Sequence, residues 1–572
     1  MGWAWPQLND RSSSAKKSPH VKPHGSRRAF DQPQQRPPRT RSGRENSLLG
    51  GQRGTGVDIV DARGARHVSS LPRSTGAALW VALAILTGAP SHAAQDGEAL
   101  ARRHCTGCHG FPDPTLLDRA TWLEEVLPWM RVLLGLEPGR VAESPDAALY
   151  RKLGVFPASP QIPEDVFARI RDYYAEHAPA SLALRSPLPA EELTDLQLDV
   201  VASPDQVSTT TLVHVRAQGG FVLGDAARRE LVVHDRTGRE ASRLHVGNVP
   251  VHLVETEQGA LLTSIGDFVP RERRHGEVVA LRRSADGLAY GRLLLEGLAR
   301  PTHTAQADLD GDRRRDLVVC QFGYHTGRLS WFRAKEGGGF EEQLLHEGPG
   351  ALRSEIRDVD GDGHLDVVAL LAQHFEALWV FRGDGTGRFQ AEQLLPQSPV
   401  FGHTDFAFGD LDGDGREELV IANGDNGEYE SPPKPYHGLR LYRQTGPLAF
   451  AEARFLPLYG ATQLRLADVD GDGDLDLAAT AWFASWAEAP REGFVLFDNE
   501  GGLRVSRHVL PHAPLARWMT LDAGDVDGDG AIDLLVGARS EGPGAPPEEL
   551  GASFRASGIR ALRLETARSP AP

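Results

Sequence analysis

Sulfur is scarce in this chain, with three cysteines and three methionines in 572 residues. Three thiols cannot staple a disulfide scaffold, and Cys105 and Cys108 have no second C-x-x-C pair to complete a tetrahedral sulfur site, because Cys320 stands alone far downstream. Positive charge is short as well: 62 Lys and Arg face 78 Asp and Glu, a formal net charge of −16. An acidic surface argues against nucleic acid or anionic membrane as partners. Long apolar runs are missing except at residues 76–89, GAALWVALAILTGA, which are too few to span a bilayer.

The flanks of that run say what it is for. Arg63, Arg66 and Arg73 precede it and Ser91-His92-Ala93-Ala94 follow, the three-part order of an export signal with cleavage after Ala93 or Ala94. The signal is read as about 68–94, with 76–94 its core and cleavage region, and the mature protein is expected in the periplasm or outside the cell with no membrane span. Residues 1–75 are rich in Arg, Pro, Ser, Gln and Gly without apolar periodicity. They read as a disordered leader, with translation expected to start nearer the signal at Val57 or Val68.

Chemistry is concentrated just beyond the signal, in Cys105-Thr106-Gly107-Cys108-His109. C-x-x-C-H is the attachment pattern for covalent haem: two thiols bridge the porphyrin vinyl groups and the following imidazole ligates the iron. One haem c is therefore expected on Cys105, Cys108 and His109. Methionine scarcity narrows the sixth ligand to Met130, the one methionine near the motif, with His177 as fallback. A thioether opposite histidine suits electron transfer.

The excess of acid has a pattern of its own. Five strings place carboxylates at positions 1, 3, 5 and 9: Asp308, Asp310, Asp312, Asp316; Asp358, Asp360, Asp362, Asp366; Asp410, Asp412, Asp414, Glu418; Asp468, Asp470, Asp472, Asp476; and Asp525, Asp527, Asp529, Asp533. They recur every 50 to 58 residues with glycine at position 4. Such spacing offers an oxygen cage for a hard cation, so up to five calcium ions are expected, most weakly at the Glu418 loop. An alternating segment precedes each loop and an apolar run follows, as at 404–409 and 419–423, and two more strands complete the unit, as at 377–382 and 389–395. Four strands per period of about 50 residues is a propeller blade.

The loop-and-strand unit resembles the FG-GAP or VCBS repeat of integrin-alpha-type propellers, where calcium sits in the loop joining the first two strands of a blade. Two further units upstream, 211–245 and 251–295, keep the strand order without the carboxylates. The count becomes seven blades, and the lone strand 196–201 is expected to close the ring against the last strand, 558–564. Residues 95–182 resemble the small cytochrome c domains joined to such propellers in exported bacterial proteins, with Pro112, Pro114, Trp122 and a closing helix around 166–174 as carriers beside the haem motif. The expected fold is thus multidomain: a small all-α cytochrome c domain at 95–182, a linker at 183–194, and an all-β seven-bladed propeller at 195–568.

Three functions fit these parts. The first is an exported electron-transfer protein with a redox partner protein and the propeller as docking scaffold. The second is an oxidoreductase whose propeller binds a small molecule. The third is an adhesion protein binding a matrix or glycan ligand on a propeller face. A polar ring supports the second: His303, Arg353, Asp405, Gln463 and Thr520 each lie five residues before a first loop Asp, with His252 equivalent upstream. His303, Arg353 and Asp405 are its catalytic candidates, lining a central channel. Cys320, on an apolar run, reads as a buried small hydrophobe. Mass spectrometry of the exported protein is expected to find its first residue at Ala94 or Gln95; a peptide from the first 50 residues would refute the reading of the leader.

Overall fold

The computed structural model describes residues 97–566 except 107–108, 145, 187, 195, 203–206, 286, 428–431, 512–513 and 545. The segments expected as leader and export signal, and Cys108, lie outside the described residues. From Thr210 onward the chain folds into seven antiparallel sheets, which we number as blades: 1 (210–245), 2 (250–298), 3 (301–347), 4 (351–394), 5 (403–457), 6 (461–509) and 7 (518–566). First strands of successive blades touch around a closed circuit, blade 7 against blade 1 included. The fold is an all-β seven-bladed propeller.

Burial explains why each strand has its composition. Every residue of the second strands Asp316–Gln321, Asp366–Leu371, Glu418–Asn423, Asp476–Ala481 and Asp533–Ala538 is buried, because neighbouring blades cover both of their faces. A strand covered on both faces loses alternation and becomes a continuous apolar run. The fourth strands, such as Phe389–Leu394, form the exposed rim and keep their polar residues. Cys320 has no exposed surface and packs among Leu329, Val367 and Ala369; burial pushes its thiol up to about 12.

The ring closes as its pattern implies. Strand Leu196–Ala202 pairs antiparallel with the last strand, Ile559–Thr566, in the register Leu198 to Leu564. Leu196 and Leu198 pack onto the apolar cluster shared by blades 6 and 7. The segment expected as linker is not slack: Glu191–Glu192 runs parallel to Val505–Val509 and makes blade 6 five-stranded. Arg185 lies 4.1 Å over the Tyr459 ring, and its backbone N–H donates to the Tyr459 hydroxyl at 2.8 Å.

Residues 97–177 hold five helices: α1 (Gly97–Cys105), α2 (Leu127–Leu133), α3 (Pro138–Ala142), α4 (Ala147–Leu153) and α5 (Glu164–His177). A π-helical turn, Thr121–Val126, runs directly into α2. Their core gathers Leu100, Leu117, Trp122, Leu127, Phe167 and Tyr174. The prolines after the cysteine motif serve as anchors: the Trp122 indole N–H donates to the Pro114 carbonyl at 2.9 Å and the Tyr174 hydroxyl to the Pro112 carbonyl at 2.6 Å. This helical segment belongs to the same compact unit as the propeller. Trp129, Tyr150 and Phe156 surround the ring of His325 from blade 3, with centroids 6.4, 5.1 and 5.2 Å away. The Tyr436 hydroxyl of blade 5 donates to the Leu116 carbonyl at 2.8 Å, and Val400 packs into the helical core.

Deleting residues 196–202 is expected to leave Ile559–Thr566 as a bare edge. The melting temperature should fall and size-exclusion elution should move toward dimers or larger species. A monomer that melts as the full chain does would refute the closure role.

Candidate functional site

Three regions hold the residues singled out by sequence. The first is a cavity with an empty space of about 1080 Å3, its mouth included, walled by ten residues of the helical segment and ten of the propeller. Cys105, His109 and Met130 line it together, although they span two helices and the loop between them. Pro112, Leu117, Trp122, Val126 and Leu127 supply the apolar part of that wall. The Nδ1 of His109 sits 2.7 Å from the Gly110 carbonyl, to which it donates as the δ tautomer. That leaves Nε2 as the free lone pair. Burial pulls the His109 pKa below its ordinary value, with the Gly110 hydrogen bond opposing, so the ring is neutral and fit to ligate. Gly110 itself cannot be replaced cheaply: an added Cβ would stand 2.9 Å from the backbone oxygen of Gln397.

His177, the fallback ligand, is elsewhere. It ends α5, its Nδ1 2.9 Å from the Tyr173 carbonyl and its ring against Tyr173, and it does not line the cavity. The propeller wall was not foreseen. It includes Gln373, His374, Glu376, Val400, Asp425 and Lys434. No local pattern marks these residues, because they come from connections in blades 4 and 5 that meet the helices only in three dimensions.

The second region is the channel. His252, His303, Arg353, Asp405, Gln463 and Thr520 line it, as their common register implies, and His214, Arg465 and Asp522 join them. These three sit two residues farther along their strands, a period-two signal that was legible but unused. The charges pair with one another. Arg353 meets Asp405 at 2.8 Å and Glu355 at 3.3 Å; Arg465 meets Asp405 and Asp522 at 3.2 Å each. Asp405 also accepts the backbone N–H of Leu464 at 3.2 Å. The rings of His252 and His303 lie 3.8 Å apart; burial holds His252 down to about 3 and pulls His303 well below its ordinary value. Both oxygens of Asp405 are thus engaged, while His303 Nδ1, Arg353 Nε and Thr520 Oγ1 have no hydrogen-bond partner among the described residues.

The third region is the five acidic loops. Positions 1, 3 and 9 each bring a carboxylate oxygen within 4.8 Å of the others, in all five blades. At position 5, Asp312, Asp362, Asp414, Asp472 and Asp529 accept the backbone N–H two residues ahead at 2.7 to 2.9 Å. Position 9 is buried in every blade and accepts the N–H of the loop's second residue at 2.8 to 3.2 Å. Its other oxygen takes an N–H from the third strand in blades 3, 4 and 6. Position 4 is left-handed throughout, with φ from 74 to 86°, which glycine alone adopts without strain.

The loops differ in their counter-charge. Arg333 pairs with Asp310, Arg443 with Asp412 at 2.6 Å, and Arg382 with Asp360 at 3.9 Å, while Arg563 reaches Asp527 and Asp533 at 2.8 and 3.1 Å. In blade 6 the residue in register with the first three arginines is Asp498. Among the described residues, no Lys or Arg pairs with Asp468, Asp470 or Asp476. Burial first, then Asp470 and Asp498, push Asp476 up to about 6.

With this geometry in view, the comparisons add the following. A family model of the FG-GAP-like repeat matches residues 308–369 and 358–421, so the run from blade 3 into blade 5 carries FG-GAP-like repeats. No curated protein matches the sequence. Among solved structures the chain is similar to streptogramin B lyase (12% identity, TM-score 0.42, 66% of this chain and 100% of that one). It is similar also to virginiamycin B lyase from Staphylococcus aureus (11%, 0.41, 65% and 100%) and to BBS1N in complex with ARL6DN (15%, 0.39, 67% and 99%). At these identities the likeness is one of fold alone.

The channel network makes a stability prediction. Asp405→Ala leaves two half-buried guanidinium groups with one carboxylate each, Glu355 and Asp522, and is expected to cost about 1–3 kcal/mol in urea unfolding. A loss below about 1 kcal/mol, the range of surface pairs, would show that the ring is solvated and its charges independent.

Proposed function

We propose that this chain is an exported electron-transfer protein carrying one covalent haem c, with a calcium-stabilised propeller as the scaffold that docks a redox partner protein. One observation carries the reading: Cys105, His109 and Met130 open onto a single, largely apolar cavity. The residues fit the group. Cys105 and Cys108 would hold the porphyrin by thioether bonds, and Nε2 of His109 would take the proximal position, oriented by its Nδ1 bond to the Gly110 carbonyl. Met130 would take the sixth. Trp122, Leu127 and Tyr174 keep that wall dry, which favours the neutral over the charged state of whatever they enclose. When bound, haem would supply one-electron transfer. The channel's carboxylate–guanidinium pairing favours a scaffold over a substrate-binding propeller, since Asp405 is engaged by both Arg353 and Arg465.

Calcium is proposed at the acidic loops, with a different order from the one the Glu418 substitution suggests. Glu418 reaches its loop as the aspartates do, through Oε2 to the Leu411 N–H at 2.9 Å. What separates the loops is arginine. A guanidinium already offsets the carboxylates in blades 3, 4, 5 and 7, whereas the blade 6 loop adds a further carboxylate, Asp498. Blade 6 is therefore the tightest site.

Two experiments test these readings. Purified exported protein extracted with acid acetone is expected to keep its haem, and the Cys105→Ala/Cys108→Ala variant to lose it; a haem-free native protein would refute the assignment. Chelation is expected to lower the propeller's melting temperature, each loop at roughly 100-fold saturation contributing up to about 2.7 kcal/mol. Asp470→Asn should abolish the tightest calcium binding in calorimetry, and Asp412→Asn should leave it in place. The opposite result would refute the arginine argument.

A further inference from the structure

All seven first strands carry one residue too many at the same place. The ladder register shifts immediately before Leu212 in blade 1 and before His252, His303, Arg353, Asp405, Gln463 and Thr520 in blades 2 to 7, so that two residues of the first strand oppose one of the second. A bulge of this kind re-aims a side chain, and here it turns all seven toward the channel at one level. The backbone N–H of the residue that follows is taken by the preceding blade. Thr304 donates to Nδ1 of His252 at 3.4 Å, Leu464 to Asp405 at 3.2 Å, and Leu521 to Oε1 of Gln463 at 2.7 Å.

This stitching consumes acceptors and leaves donors. Because Nδ1 of His252 accepts, the proton of that neutral ring sits on Nε2; because the Gln463 oxygen accepts, its NH2 is what remains. The carboxylates are used up too: Asp405 as described, and Asp522 by the Val215 N–H at 2.8 Å and Arg465 at 3.2 Å. Arg353 and Arg465 flank Asp405 and bring two guanidinium groups to the same wall, where they add to burial in keeping His252 and His303 neutral. At the end where the first strands begin, Ile265 and Phe268 line the channel and cluster with Phe483 and Met519 as an apolar floor. The space above it is about 1400 Å3, its mouth included. A sugar or polyol hydroxyl donates as well as accepts, and its proton would meet acceptors already taken. An oxyanion only accepts. We propose that the channel binds a small oxyanion, an organic carboxylate or an inorganic anion, on donors from His252, Gln463, Arg353 and Arg465. Held there it would brace blades 2, 4 and 6 across the ring, which goes beyond the scaffold reading and does not depend on haem.

The test is titration calorimetry of the full exported protein in Tris chloride with acetate, succinate, sulfate, phosphate and, as the neutral control, xylitol. At least one anion should bind and xylitol should not. Tighter binding of acetate or succinate assigns an organic acid, and tighter binding of sulfate or phosphate an inorganic ion. Two variants then remove one donor each. Gln463→Glu keeps an oxygen for the Leu521 N–H but turns the free amide into an acceptor, and His252→Phe deletes the imidazole N–H. Each should weaken the anion by about tenfold or more, the worth of one hydrogen bond to a charged group. Melting temperatures measured without anion identify the variants that fold as the native chain does. Binding by none of the four anions, binding of xylitol as tight as theirs, or undiminished anion binding in a variant that melts normally would overturn the proposal. The series on the native protein decides it even where a variant misfolds, and none of these outcomes touches the haem reading.

Discussion

A propeller blade has no core of its own. The second strands here are buried on both faces, and the faces that cover them belong to the next blade and the one before. Each blade's apolar surface is therefore satisfied only when its neighbours are present, and the whole set only when the ring is shut. Shutting it falls to the pairing of Leu196–Ala202 with Ile559–Thr566. That one ladder joins residues nearly the full length of the propeller apart, so it ties seven dependent sheets into one cooperative body and gives the last blade its fourth strand. The helical segment depends on it in turn, since its contacts fall on blades 2 to 5, including an ion pair of Asp146 with Arg271 at 3.8 Å.

Within that ring the repeated carboxylate has two roles that are easily confused. At position 9 it is a buried hydrogen-bond acceptor that ties the loop, and in several blades the third strand, to the start of the second strand. At positions 1 and 3 it is part of an open charge cluster. Burial raises the pKa of the position 9 acids, Asp476 most clearly, which means that the ionised form is held there at a cost. Four blades answer that cost with arginine, and one answers it with more acid. A divalent cation is the physical complement of the latter arrangement, and a guanidinium already supplies much of it in the former.

The cavity shows how two modules make a site that neither holds alone. Half its wall is helical and apolar; the other half is propeller and carries His374, Asp425 and Lys434. The close approach at Gly110 against Gln397 leaves no room for a side chain, so the cysteine motif is seated on the propeller backbone. A redox centre placed there would feel changes in blades 4 and 5, and a partner docking on those blades would be near it.

The residues alone determined a good deal. Blade number, strand order, the closing strand, the acidic loops and the common register of His303, Arg353 and Asp405 all follow from local periodicity, because a buried strand, a glycine turn and a repeat each leave their mark on consecutive residues. What the tertiary structure decided concerns pairs distant in the chain. It placed His374 and His109 on the wall of one cavity, tied position 5 of each loop to a backbone N–H, set Asp498 where other blades have arginine, and spent Asp405 on Arg353 and Arg465. Electrostatic partners and cavity walls are chosen by distance in space, and a chain that brings residue 109 beside residue 374 carries no mark of it in the neighbours of either.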